Sequence, residues 1–186
     1  QADVQVFNIG TALEKTQSDN PAAAESIKAA VEKYEAQLTL LDQWVRDSIS
    51  SVPEEDRVLF TSHDAFGYFA NAYDVKFIGA ALSDFNHQQD ATAEHINKAA
   101  EEVKASGAKA LFAENSNNSK SIEAIARAAG VEAITNDDAL YGDSLGPAGS
   151  AGATYIGSII HNVTTLVTAW GGKPASLPQE ISEYAK

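Results

Sequence analysis

Between residues 58 and 170 the chain alternates four times between a short apolar run and a longer segment whose apolar residues recur every three or four positions. The short runs, at 58–61, 75–80, 108–113 and 131–135, have strand length. The longer segments, at 64–73, 91–106, 121–129 and a last one carrying Ile156, Ile159, Ile160, Val163, Leu166, Val167 and Trp170, have the helical period. Gly107 and Gly130 follow two of them and suit left-handed helix caps, and Gly171 and Gly172 close the last. Strands separated by helices pair in parallel through right-handed crossovers. The sequence therefore predicts an α/β fold with a four-stranded parallel sheet covered by helices.

Ahead of this unit lies a single long stripe. Asn20 and Pro21 supply a capping residue and a proline at the first helical position. Ile27, Val31, Tyr34, Leu38, Leu41, Val45, Ile49 and Val52 then follow in steps of three and four until Pro53. About 30 residues at 1.5 Å each make a rod of about 45 Å, longer than a small domain is wide. Such a rod packs antiparallel within one domain or spans between two lobes, and periodicity leaves both open. Residues 1–19 carry Val4, Phe7, Ile9, Ala12 and Leu13, consistent with a short helix, and the segment after Lys173, with two prolines, is expected to be peripheral.

Composition removes several classes of function. Asp and Glu number 26 against 13 Lys and Arg, a net charge of −13. That charge repels phosphate backbones and anionic lipid, so neither nucleic acid nor a membrane surface is an expected partner. No apolar run reaches the roughly 18 residues of a membrane-spanning helix. With no cysteine there is no disulfide or thiolate chemistry. The chain starts at Gln1 and contains no Met, which is expected of a processed product or an excised piece. Phosphate-binding loops, dinucleotide fingerprints, GxSxG elbows and HExxH helices are missing from the sequence.

Three titratable residues fall just past strand ends: His63 after the first, Glu114 after the third and Asp143 in the loop after the fourth. A parallel sheet gathers such positions on one rim, where ligands of α/β folds bind. Imidazole nitrogen with carboxylate oxygen suits Zn²⁺ or Mn²⁺. Each residue also has a structural role open to it: His63 a turn, Glu114 a loop cap, Asp143 a turn within 141–149. His87, in the polar loop 83–90, could reach the rim; His95 reads as solvent-facing and His161 as a helix-packing or partly exposed residue.

The stretches Thr61-Ser-His-Asp-Ala-Phe-Gly-Tyr-Phe69, Leu111-Phe-Ala-Glu-Asn-Ser116, Leu140-Tyr-Gly-Asp-Ser-Leu-Gly-Pro147 and Gly152-Ala-Thr-Tyr-Ile-Gly-Ser-Ile-Ile-His-Asn-Val163 occur in that order. Together they resemble the carboxyl-terminal half of the zinc- and manganese-binding solute-binding proteins of bacterial metal ABC importers, also called adhesion lipoproteins. The resemblance implies that 1–19 is a remnant of an amino-terminal lobe, 20–53 the helix linking two lobes, 54–172 the carboxyl-terminal α/β lobe and 173–186 a peripheral tail. It implies that His63 and Asp143 are metal ligands, with Glu114 supporting them from close by. Two further histidines would come from the missing amino-terminal lobe, so the site here is incomplete.

The resemblance further implies a non-enzymatic, extracytoplasmic protein, periplasmic or lipid-anchored, that captures Zn²⁺ or Mn²⁺ as transported ligand for a membrane permease. Two rival functions are open to the same residues. One is a surface adhesion module of the same fold in which His63 and Asp143 are relics; the other is a small metal-dependent hydrolase with Glu114 as general base. Loss of one lobe would also leave the rod's stripe partly bare. Self-association through residues 27–41 is the expected outcome, and sedimentation over a range of concentrations checks it: a monomer throughout contradicts it.

Overall fold

The computed structural model describes residues 2–17, 20–81 and 92–185. Helix α1 (Ala2–Thr16) leads into α2 (Pro21–Ser50), whose first turn is capped by the Asn20 side chain accepting from Ala23 N–H at 3.2 Å. The α/β unit follows as β1 (Val58–Thr61), α3 (Gly67–Ala72), β2 (Lys76–Ala80), α4 (Ala93–Ser106), β3 (Ala110–Phe112), α5 (Lys120–Ala129), β4 (Glu132–Ile134) and α6 (Tyr155–Ala169). The four strands are all parallel in the order β2-β1-β3-β4. Gly107 and Gly130 take left-handed φ of 76° and 77° and end α4 and α5 as expected. β3 and β4 are three residues each, shorter than the apolar runs that contain them.

The central strands β1 and β3 are buried on both faces, which is why they read as continuous apolar runs, while the edge strands β2 and β4 are half-buried. Leu59, Ala110 and Phe112 point to one face, against α2 and α6; Val58, Phe60 and Leu111 point to the other, against α4 and α5. This is the two-residue alternation of a strand, used here to fill two cores at once. Trp170 closes the first core: it is fully buried, its ring meets Phe112 edge-on at 6.3 Å, and its Nε1 donates to Val58 O at 3.0 Å.

Two expectations change. The segment after Lys173 is not peripheral. Residues Gln179–Tyr184 form a short 3-10 helix against α2 and α6, with Ile181 fully buried. Trp44 Nε1 donates to Ala175 O at 2.9 Å, Gln37 Nε2 to Glu180 O at 2.9 Å, and Ala175 N–H to Ser48 Oγ at 3.0 Å. Prolines give this segment the look of a loop; its apolar residues at Ala175, Leu177 and Ile181 nevertheless insert into the core. The stripe of α2 is also less bare than expected. Leu38 and Leu41 are buried, and α1 lies along the amino-terminal half of α2, where a Cβ on the buried Gly10 would collide with Val31. Apolar exposure lies on α1 instead, at Phe7, Ile9 and Leu13.

Because Ile181 belongs to the core, Ile181→Ala should cost about 2–4 kcal/mol, the range for truncating a buried aliphatic side chain. Urea denaturation checks this, and a change below about 0.5 kcal/mol would show that the segment is peripheral after all.

Candidate metal centre

The three rim residues meet. β1 ends at Thr61, whose Oγ1 donates to His63 O at 2.6 Å and bends the chain so that it leaves the sheet. The main-chain N–H of His63 then donates to Glu114 Oε1 at 2.9 Å, while Glu114 N–H donates to Ser62 Oγ at 3.3 Å. These reciprocal bonds stitch the end of β1 to the end of β3. Beyond β4, Leu140 rejoins the rim as an isolated parallel bridge to Glu114: Leu140 N–H donates to Ala113 O and Asn115 N–H to Leu140 O, both at 2.9 Å. Three residues later Asp143 faces the same histidine.

His63 Nδ1 lies 3.4 Å from Asp143 Oδ2 and 3.6 Å from Glu114 Oε2. The second separation is too long for a hydrogen bond. Nδ1 and Glu114 Oε2 are both buried and have no hydrogen-bond partner among the described residues. Two adjacent buried polar atoms left unpaired are a costly arrangement unless a proton or a cation joins them. Glu114 is 1% exposed and the Asp143 side chain 58%, so one carboxylate is walled in and the other stands in solvent. Gly142 makes room between them, since a Cβ there would sit 2.5 Å from Glu114 Oε2.

Burial pushes the Glu114 carboxyl above the ordinary carboxylate range, and the charge of Asp143 adds to that push. The main-chain N–H and the ring of His63 pull in the opposite direction without cancelling it. Beside the rim a cavity of about 530 Å³ opens between α2, α3 and α6, walled by Phe66, Phe69, Tyr73 and Tyr141. Its far wall is fixed by Tyr73 OH donating to Asp42 Oδ1 at 2.8 Å. Burial and then that bond keep the phenol protonated well above its ordinary range.

Among the described residues no set of three or more His, Cys, Asp or Glu side chains is arranged to hold a metal ion by itself. His63 and Asp143 offer one imidazole and one carboxylate, and four-coordinate zinc needs more than two such donors. His87 lies outside the described residues. His161 packs as expected, Nε2 at 3.0 Å from Ala139 O, but His95 is not solvent-facing: its Nε2 lies 3.0 Å from Ala81 O because its helix leans on the end of β2. Sequence reasoning missed Asn162, buried on α6 and bonded to Tyr141, and Asn115, whose Nδ2 donates to Ser144 Oγ at 3.0 Å. A polar residue within the apolar stripe of α6 was the available signal for Asn162.

A family model described as zinc-uptake complex component A, periplasmic, matches residues 1–169. The manganese-binding lipoprotein MntA of Bacillus subtilis is 33% identical over 151 residues, which is 80% of this chain and 49% of that protein. The zinc-binding protein TroA of Treponema pallidum is 34% identical over 151 residues, 80% of this chain and 48% of that one. The solved periplasmic zinc-binding protein TroA superposes with a TM-score of 0.73 at 30% identity, covering 89% of this chain and 60% of that chain. The chain thus spans about half the length of the curated relatives it matches.

The raised pKa of Glu114 has a definite sign in stability. A carboxyl that binds its proton more tightly in the folded state contributes stability that is complete below the unfolded value of about 4.3 and is lost as pH rises through the folded value. Glu114→Gln keeps the acceptor for His63 N–H and removes the charge. The variant should therefore be more stable than the parent at pH 7, with the gap closing towards pH 4. Urea denaturation of both proteins across that range measures it; parallel stability curves would show that the buried carboxylate carries no such penalty.

Proposed function

The chain belongs to the family of zinc-uptake complex component A proteins, and from that membership we propose that it is the carboxyl-terminal half of an extracytoplasmic substrate-binding protein that captures Zn²⁺ or Mn²⁺ for an ABC importer. The metal is cargo, held and handed on rather than used. His63 and Asp143 provide two of its ligands, one imidazole nitrogen and one carboxylate oxygen. Glu114 orients His63 through the main-chain N–H and faces its ring with the second carboxylate oxygen, the role that carboxylates behind metal-binding histidines commonly have. The observation that carries this reading is the convergence on His63 Nδ1: two carboxylates within 3.6 Å and, among the described residues, no hydrogen-bond partner. A buried ring nitrogen in that setting suits a cation.

Within the same reading, residues 20–53 are the strut between two lobes, 1–19 end the other lobe, and the remaining ligands come from that lobe. The segment after Lys173 joins the 54–172 lobe, since its side chains fill that lobe's core. The permease is the partner of the whole protein, and the aromatic-walled cavity beside the rim faces the space between lobes.

Calorimetric titration of the chain with Zn²⁺ and with Mn²⁺ tests this. Weak, saturable binding is expected, reduced by more than about 100-fold when His63→Ala and Asp143→Ala are combined, a larger loss than supporting residues alone produce. Binding that survives the double substitution, or its absence from the unaltered chain when supplied with the other lobe, would overturn the assignment.

A further inference from the structure

Asn162 is 2% exposed on a helix whose buried face is otherwise apolar or small. A buried amide needs partners, and a leucine there would avoid the desolvation cost altogether. Both ends of this amide are spent on one residue: Tyr141 N–H donates to Asn162 Oδ1, and Asn162 Nδ2 donates to Tyr141 O, each at 2.8 Å. Tyr141 is the first residue past the Glu114–Leu140 bridge, so it is where the chain leaves the support of the sheet. The next residue, Gly142, has no side chain to anchor. Asp143 follows, with its side chain 58% exposed. On its other flank the Asn115–Ser144 hydrogen bond is exposed to water and holds more weakly. The residue before Asn162, His161, takes hold of the same loop through Ala139 O at 3.0 Å and packs its ring 4.9 Å from that of Tyr141.

We infer that Asn162 is the positioning residue for Asp143: by clamping both main-chain groups of Tyr141 to α6, it sets where the exposed carboxylate stands relative to His63. This rests on the proposed metal-binding role and extends it, because Asn162 itself is no ligand in that role. It also ties the rim to α6, and hence to α2, on which α6 packs.

The test is a calorimetric Zn²⁺ titration of the full chain, with Asn162→Ala and the near-isosteric Asn162→Asp each made alone and with Asp143→Ala. Asn162→Ala should weaken zinc binding by about 10- to 100-fold, the usual effect of residues that orient a ligand. With Asp143 already replaced, it should weaken binding no further. Equal weakening in both backgrounds, or none in either, would overturn the inference. Amide hydrogen exchange supplies the metal-free readout: Tyr141 N–H, which donates to Asn162 Oδ1, should lose protection in Asn162→Ala while the strands β1 and β3 keep theirs, and unchanged exchange at Tyr141 would overturn it as well. Failure of the metal-binding role looks different: the unaltered chain and the His63→Ala variant would then titrate alike, whatever the exchange at Tyr141.

Discussion

The hydrogen bond from His63 N–H to Glu114 Oε1 is the constraint on which the rim depends. A carboxylate with 1% exposure costs several kcal/mol to bury unless its oxygens are engaged. One oxygen is engaged by a main-chain group from the neighbouring strand end, so the two strand ends must stay together as long as the acid stays buried. The other oxygen faces the histidine ring and, among the described residues, has no hydrogen-bond partner. Placing the acid at the end of β3 therefore both closes the rim and sets a buried carboxylate oxygen against the His63 ring.

The remaining contacts arrange themselves around that point in layers of decreasing burial. Glu114 N–H donates to Ser62 Oγ within the core, Leu140 extends the ladder by one bridge, Asn162 holds Tyr141, and Asp143 stands in water. Burial thus falls from the His63–Glu114 side of the rim to the Asp143 loop.

The strands, the long helix and the glycine caps were legible because their signals are local: Asn20-Pro21 starts α2, and Gly107 and Gly130 end their helices. That His63, Glu114 and Asp143 would share a rim was legible from topology, since parallel strands present their carboxyl ends together. The burial of Glu114 was not, because it depends on Ser62, His63 and the missing side chain at Gly142, residues distant from it in sequence. Trp44 and Ile181 escaped for the same reason. Trp44 lies beside the stripe and is buried only because Ala175 O and the segment after it return to cover it. Prolines at 174 and 178 look like marks of a loose tail, yet they set the path that brings Ile181 to the core.

That returning segment changes what α2 can do mechanically. Trp44, Gln37 and Ser48 are bonded to it, and Leu41, Val45 and Ile49 sink into the core beneath. The carboxyl-terminal half of the rod is thus cast into the lobe and cannot swivel on the sheet without withdrawing an indole and an isoleucine together. A torque delivered at its amino-terminal end would be transmitted to the whole lobe as a rigid lever, and any bending has to be absorbed near α1, where the rod's residues are only half covered.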